Sequence, residues 1–268
     1  MRTPQRIAMI GYGAVSQAVL RHFAAYGIEA LCVLLRPGRK DTKRAEPPRP
    51  LRFVDDVNEM LSLKPDLVIE CAGQGAVAQY AEKVVSAGAD LMTISMGAFA
   101  DAALLDRVKA AAQKTGAQIL IPAGAVGALD LLAAVRNEGI ERVVLRSIKP
   151  PLAWLGTAGE KAVDLAAVRE AVCLFKGNAR EAASTYPMNA NVAAAVALAG
   201  VGFERTAVEL VADPHAGGNR NEILAEGAFG RFEIRMLGKT RPEAPRTSIS
   251  APLSILRGVL NRGAGIVV

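Results

Sequence analysis

The chain has 268 residues, 51% of them hydrophobic, and its formal net charge is +6 at pH 7. This length can form two domains of ordinary size or one large α/β unit, and the composition argues against a disordered or fibrous protein. Only 4% of the residues are aromatic and they are not interleaved with the basic residues, so nucleic-acid binding is not predicted, whereas a basic surface suits anionic small molecules.

A glycine-rich turn follows the first predicted strand, within residues 6–16. Gly11 permits a tight turn out of the strand, and Gly13 lets the backbone approach a pyrophosphate, whose charge meets the N-terminus of the next predicted helix, 14–26. Ser16 occupies the place of the third glycine of this dinucleotide-binding pattern, which weakens the pattern without removing it. The alternative is a plain turn. The predicted dinucleotide contacts of this turn are Gly11, Gly13, Ala14 and Val15.

A basic residue follows the second predicted strand, 29–35. A site that prefers NAD carries an acidic residue about here, and this chain has Arg36, followed by Arg39 and Lys40. A guanidinium can pair with the 2′-phosphate of NADP, which a carboxylate would repel. We therefore expect Arg36 to allow NADP alongside NAD, and the alternative is a solvated basic loop.

Strands alternate with helices as far as residue 121. The predicted strands are 67–73, 90–95 and 117–121, and the predicted helices are 77–87 and 101–114. This spacing predicts an α/β domain over 1–125 with a parallel, doubly wound sheet of the Rossmann type. Ligands bind at the carboxyl edge of such a sheet. The predicted contacts at that edge are Cys71, Ala72, Gly73 and Ala98.

The second half of the chain changes character after the loop 122–127. The predicted helices are 128–136, 164–176, 179–185 and 191–202, the last with Asn191 as a possible N-cap, and the predicted strands are 141–148, 207–212 and 230–237. Their near alternation of apolar and polar residues is typical of a one-sided sheet. We expect a second α/β domain over 126–245 with an open mixed or antiparallel sheet. A C-terminal helix within 246–268, predicted at 248–261, is expected to pack back on the first domain.

The cysteines, the apolar runs and the N-terminal residues bear on the cellular compartment of the protein. Cys32, Cys71 and Cys173 lie far apart and lack metal-ligand spacing, so we expect reduced thiols and no metal site. No apolar run approaches the ~18 residues of a membrane span, and the N-terminal residues lead too directly into the first strand for a signal peptide. The sequence predicts a cytoplasmic protein that does not bind membranes.

Several motifs resemble those of the L-aspartate dehydrogenase family. They are GYGAV at 11–15, ECAG at 70–73, GAVGALD at 124–130, KPPLAWLGT at 149–157, YPMNANVAA at 186–194, ADP at 212–214, GAFGRFEI at 227–234 and RTS at 246–248. The resemblance implies a Rossmann domain with a second α/β domain, NAD or NADP as cofactor, and a homodimer formed through the second sheet. It also implies interconversion of L-aspartate with iminosuccinate, and hence with oxaloacetate and ammonia.

The resemblance assigns two further cofactor contacts, Ala125 and Asn191. A small residue at 125 leaves the backbone free near the nicotinamide, and the Asn191 amide offers a donor and an acceptor to a carboxamide. The alternatives are helix–strand packing for Ala125 and a helix cap for Asn191, and the cap can coexist with cofactor binding.

The chain departs from the family at its catalytic histidine, whose place Asn221 holds. An amide cannot titrate near neutral pH, and loss of a general acid/base typically costs on the order of 10²- to 10⁴-fold in rate. Three explanations stay open: another group such as Lys149 or a bound water supplies the proton, the substrate differs, or the change inactivates the enzyme. His215 is a second candidate for proton transfer, with an exposed loop residue as its alternative.

Lys149, next to two prolines at a strand end, and Arg220 are candidates to bind a substrate carboxylate, although single basic residues are usually only solvated. The predicted catalytic residues are therefore Asn221, His215 and Lys149. Two other functions stay open: a dehydrogenase or imine reductase for a different amino or imino acid, and a cofactor-binding protein with little catalysis.

Overall fold

The computed structural model describes residues 6–39, 46–241 and 244–267, so Lys40 of the predicted basic loop lies outside the described residues. Two compact units divide the chain, Met1–Pro122 with Ala251–Val268 and Ala123–Ser250. Within the described ranges, none of the helices has the length and apolar character needed to cross a membrane.

The first unit alternates strands with helices. Its elements, in order, are β1 (Ile7–Ile10), α1 (Ala14–Ala25), β2 (Ala30–Leu34), β3 (Phe53–Val54), α2 (Val57–Ser62), β4 (Leu67–Glu70), α3 (Gln74–Ser86), β5 (Asp90–Thr93), α4 (Ala102–Thr115) and β6 (Ile119–Leu120). A short 3₁₀ helix, Met96–Ala100, precedes α4. Every residue of β1 and β4 is buried, as expected for a parallel sheet that is covered on both faces.

The six strands form a parallel sheet in the order β3-β2-β1-β4-β5-β6. This order is that of the Rossmann dinucleotide fold, which confirms the predicted doubly wound sheet. The order reverses between β1 and β4, so the glycine turn after β1 and Cys71 after β4 lie at the point where such sheets bind ligands.

The second unit is built around a five-stranded sheet whose strands are longer and more exposed than those of the first sheet. Its elements are α5 (Leu129–Val135), β7 (Ile140–Lys149), α6 (Gly159–Ala162), β8 (Val172–Asn178), α7 (Ala179–Thr185), α8 (Ala190–Ala199), β9 (Thr206–Ala212), β10 (Asn219–Gly227), β11 (Gly230–Gly238), β12 (Thr240–Arg241) and β13 (Ala244–Ser248), and α9 (Ser250–Gly263) follows. Five of the strands pair in the order β11-β10-β7-β9-β8. Only β7 and β9 run parallel, so the predicted open sheet is a mixed one.

The two faces of this sheet differ in polarity. Leu145 of β7 and Ile223 of β10 pair with each other and are buried. Arg146 and Glu222 pair one position along, and their side chains lie on the opposite face. Along β7 and β10, side chains therefore alternate between a buried face and a charged face of the sheet.

Two predictions for the second unit are wrong. The helix predicted over 164–176 is partly a strand, because Val172–Asn178 form β8, which pairs antiparallel with β9; valine and phenylalanine there favour an extended conformation. The N-cap predicted at Asn191 is also wrong, since α8 begins at Ala190 and Asn189 occupies the cap position. Strand β10 is absent from the prediction because it begins with polar residues, and it is held by pairing with both β7 and β11.

The last helix completes the core of the first unit. Val19 and Phe23 of α1 belong to one buried cluster with Ile69 of β4 and with Ile255 and Val259 of α9. The first unit therefore takes its core from both ends of the described chain.

Candidate functional site

The turn between β1 and α1 has a backbone geometry that favours glycine at residue 11. Gly11 has a φ of +90°, and its N–H donates a 2.8 Å hydrogen bond to the carbonyl of Leu34 in β2. A Cβ placed on Gly11 would lie 2.7 Å from the Cβ of Ala72. Glycine is needed here because the turn lies directly against the segment that follows β4.

The start of α1 leaves open space for an anion. A Cβ added to Gly13 would meet no atom within 4 Å, and the first turn of α1, which includes Ala14 and Val15, contains no acidic residue. The N–H groups and the dipole of a helix N-terminus favour a phosphate at such a place. Ser16 is fully buried, and its hydroxyl donates a 2.7 Å hydrogen bond to the Gly11 carbonyl, so it holds the turn where the third glycine is missing.

A cavity of about 740 Å³ lies beside this turn, within the usual range for cofactor sites. Five residues predicted to bind the cofactor line it: Gly11, Gly13, Arg36, Cys71 and Ala72. Gly73 is the N-cap residue of α3, and Ala98 lies in the 3₁₀ helix Met96–Ala100; both are outside this lining. The volume and the lining of the cavity fit a dinucleotide.

The basic turn after β2 is held in place by two hydrogen bonds. The N–H of Arg39 donates to the carbonyl of Arg36 over 3.1 Å, and the N–H of Gly38 donates to Asp55 Oδ2 over 3.0 Å. Arg36 is exposed and lines the cavity. Its guanidinium is therefore available to a 2′-phosphate, which suits NADP as well as NAD.

In the second unit, Asn221 lies on the buried face of β10 and both ends of its side-chain amide are bonded. Ser147 Oγ donates to Asn221 Oδ1 over 2.9 Å, and Asn221 Nδ2 donates to the carbonyl of Ala125 over 3.1 Å. The amide thereby ties strands β7 and β10 to the loop that precedes α5. These contacts position the backbone at Ala125, and an amide offers no proton that titrates near neutral pH.

Lys149 lies two residues beyond Ser147, so its side chain starts from the same face of β7. Its Nζ donates a hydrogen bond to Asn189 Oδ1 and lies 4.8 Å from the centre of the Trp154 ring. Burial lowers the pKa of the Lys149 ammonium from 10.5 to about 8. This lysine can exchange a proton near neutral pH, which Asn221 cannot do.

The other predicted residues of this unit have different surroundings. His215 is exposed on the loop after β9, where its backbone N–H donates to Asp213 Oδ1 over 2.8 Å. Arg220 lies on the sheet face opposite Asn221, 3.1 Å from Glu222 and 3.7 Å from Asp213, so its charge is already balanced. Asn191 lies in the first turn of α8.

Sequence reasoning missed Ser147 and Asn189 as partners of the predicted residues. The signal for Ser147 was its spacing of two residues from Lys149 on one strand, which places both side chains on one face. For Asn189 the signal was its position in the quoted YPMNANVAA motif.

Comparison with known proteins finds relatives that cover nearly the whole chain. Residues 11–122 match the family model "Homoserine dehydrogenase, NAD binding domain", and residues 130–262 match "Aspartate dehydrogenase, C-terminal". L-aspartate dehydrogenase of Ruegeria pomeroyi is 42% identical over 262 residues, which are 97% of this chain and 94% of the relative. L-aspartate dehydrogenase of Cupriavidus taiwanensis is 38% identical over 267 residues, 98% of this chain and 99% of the relative.

A solved structure shows the same fold. Aspartate dehydrogenase from Thermotoga maritima aligns with a TM-score of 0.76 over 98% of this chain and 99% of that one, at 24% sequence identity. The extent and the identity of the sequence matches establish that this chain belongs to the L-aspartate dehydrogenase family.

Proposed function

We propose that this chain oxidises L-aspartate to iminosuccinate with NAD or NADP, and that water then releases oxaloacetate and ammonia. The observation that carries the proposal is the 42% identity to an L-aspartate dehydrogenase over 97% of the chain. The first unit supports it, because a glycine turn, a helix N-terminus and a cavity of about 740 Å³ suit a dinucleotide.

In this scheme, residues of the first unit bind the phosphate groups of the cofactor. The turn at Gly11 and Gly13 and the start of α1 hold the pyrophosphate, and Arg36 meets the 2′-phosphate of NADP. Bound NAD(P) supplies the hydride acceptor, C4 of its nicotinamide. On the family resemblance, Ala125 and Asn191 are the contacts from the second unit.

We assign proton transfer to Lys149. Hydride can leave the α-carbon only when the substrate nitrogen has a free lone pair, so the substrate ammonium must first lose a proton. Lys149 accepts it as the neutral amine, which its pKa of about 8 makes accessible, and its bond to Asn189 holds Nζ in place. The α-hydrogen then departs with its electron pair, the nitrogen lone pair forms the C=N bond, and water adds at carbon to expel ammonia. His215 is the second candidate for this proton.

Asn221 acts as a positioning residue in this scheme. Its contacts to Ser147 and to the Ala125 carbonyl fix the loop that contains Ala125, which the family resemblance makes a cofactor contact. Because the Asn221 amide cannot take up a proton near neutral pH as a histidine can, another group of this chain must accept the proton of the substrate ammonium.

The amide at 221 also favours a second candidate function. A pocket that carries an uncharged amide in place of a histidine suits a dehydrogenase or imine reductase for a different amino or imino acid. A cofactor-binding protein with little catalysis is the third candidate, because the residue that titrates in the family is missing.

We also propose that the chain acts in the cytoplasm as a homodimer formed through the charged face of the second sheet. That face carries the ion pairs Arg146–Glu209, at 2.8 Å, and Arg235–Glu222, at 2.9 Å. Both signs of charge occur together, so a second copy can meet the same surface with complementary charge. Sedimentation equilibrium at several concentrations tests the dimer, and a monomer throughout contradicts it.

A coupled set of assays tests the reaction. The protein is incubated with ammonium and NADH or NADPH, with oxaloacetate or with other 2-oxo acids, and the absorbance of the reduced cofactor is followed. Loss of absorbance with oxaloacetate supports the proposal, and turnover only with another 2-oxo acid supports the second candidate. Cofactor binding by calorimetry without any turnover supports the third.

A further inference from the structure

Glu70 is a fully buried carboxylate at the carboxyl end of β4. Its Oε1 accepts hydrogen bonds from the backbone N–H groups of Ala72, at 2.6 Å, and Gly73, at 2.7 Å. The hydroxyl of Ser95 donates to the same oxygen over 3.1 Å, and the hydroxyl of Thr93 donates to Oε2 over 2.6 Å. Glu70 therefore joins the segment after β4 to the end of β5 through one side chain.

The segment that Glu70 holds is part of the cofactor cavity. Cys71 and Ala72 line the cavity, and Gly73 has a φ of +119°, a conformation that other residues rarely adopt. The two backbone bonds to Glu70 fix this conformation. The position of the carboxylate relative to the cavity is thus set by the same bonds that shape the wall.

All four donors to Glu70 are neutral, and none of the ion pairs in the described part of the chain includes it. Neutral donors stabilise a carboxylate without cancelling its charge. The charge acts on the cavity wall: burial, with the Glu70 charge as the second cause, raises the pKa of the Cys71 thiol well above its usual value. Cys71 and Ala72, which line the cavity, directly follow Glu70 in the chain, so the carboxylate lies immediately behind the cavity wall.

We propose that Glu70 makes this site favour the oxidised cofactor over the reduced one. The nicotinamide ring carries a positive charge when oxidised and none when reduced, so the Glu70 carboxylate, behind the turn 71–73, stabilises the oxidised form more than the reduced one when the ring binds against that turn. Glu70 is a positioning residue for the turn 71–73 and in addition an electrostatic determinant of the cofactor's redox state. The inference rests on a nicotinamide cofactor and not on the identity of the substrate, so it holds for either dehydrogenase considered above.

The variant Glu70→Gln separates charge from shape. The glutamine Oε1 keeps the bonds from Ala72 and Gly73, and Nε2 can donate to the hydroxyl of Thr93. Dissociation constants of NAD and NADH, and of the NADP pair, are measured by calorimetry in the absence of substrate. We expect the affinity for the oxidised form to fall about 10-fold and that for the reduced form to change less than about twofold.

Two control variants show that the charge is responsible. Ser95→Ala removes one hydrogen bond to Glu70 but keeps its charge, so the ratio of the two affinities stays that of the wild type. Thr206→Val removes a partly buried 2.8 Å hydrogen bond to the Gly202 carbonyl in the second unit and leaves both affinities unchanged.

An equal loss of both affinities in Glu70→Gln overturns the inference, because a purely structural role predicts it, and so does an unchanged ratio without any loss. Should Glu70→Gln not fold, Glu70→Asp and Glu70→Asn make the same comparison with a side chain one carbon shorter. The absence of aspartate turnover leaves this test unaffected, since cofactor binding alone is measured.

Discussion

Replacing Lys149 with methionine changes how stability depends on pH. Burial lowers the pKa of Lys149 from 10.5 to about 8, and unfolding restores the higher value. Below about pH 8 both states hold the proton, whereas between about 8 and 10.5 only the unfolded chain does, so wild-type stability rises with pH across this window. The separation of about 2.5 pH units, at about 1.4 kcal/mol per unit, gives a rise of about 3 kcal/mol relative to the variant.

Urea unfolding of both proteins measures this difference. The chain has one tryptophan, Trp154, whose ring centre lies 4.8 Å from Lys149 Nζ, so its fluorescence reports on the relevant unit. We expect the free energy of unfolding of the wild type minus that of Lys149→Met to increase by about 2 to 3 kcal/mol between pH 7 and pH 10. Lys161→Met, at an exposed position of the same unit, serves as the control and shows no such increase. Parallel curves for wild type and Lys149→Met would refute the argument that the Lys149 ammonium is buried at a cost.

Three further substitutions test the proposed site, and the same lysine variant tests its chemistry. Lys149→Met should lower kcat by about 10²- to 10⁴-fold with an unchanged cofactor Kd in calorimetry, and a kcat near that of the wild type contradicts its role in proton transfer. Asn221→His should raise the rate of aspartate oxidation in a steady-state assay, whereas an unchanged or lower rate indicates a pocket rebuilt for another substrate. Arg36→Glu should weaken NADPH at least ~10-fold more than NADH, because it places a carboxylate near the 2′-phosphate; equal effects remove Arg36 from that site. Gly11→Ala forces a φ of +90° on alanine and a 2.7 Å contact, so it should abolish cofactor binding in calorimetry or destabilise the protein by about 1–3 kcal/mol in urea unfolding; wild-type values for both contradict the need for glycine.

The glycine turn of the first unit, with its strand and helix, is predictable because its determinants are local in sequence. The strand before Gly11, the turn itself and the helix after it lie within one short stretch, and hydrophobic periodicity together with glycine chemistry defines all three. The compensation by Ser16 is also local, since its hydroxyl bonds a carbonyl five residues earlier. The sequence also shows directly that Arg36 occupies the place where a site that prefers NAD carries an acidic residue.

The candidate residues of the second unit depend on contacts between distant parts of the chain. Asn221 bonds Ser147 across 74 residues and Ala125 across 96, and no local pattern indicates either partner. The error over 164–176 has the same origin, because alanine and leucine there favour a helix while pairing with β9 selects a strand for Val172–Asn178. Tertiary pairing decides these elements.

Helix α9 follows the second unit in the chain but belongs to the core of the first unit, so the first unit cannot complete its core before α9 has been synthesised. Ile255 and Val259 complete the cluster that contains Phe23, yet the ribosome makes them after the whole of the second unit. A nascent chain can therefore build the sheet of the second unit while the nucleotide-binding half still exposes the apolar groove that α9 will fill. Truncation before residue 250 should leave that groove open to solvent, and such a protein would depend on chaperones or aggregate through this surface.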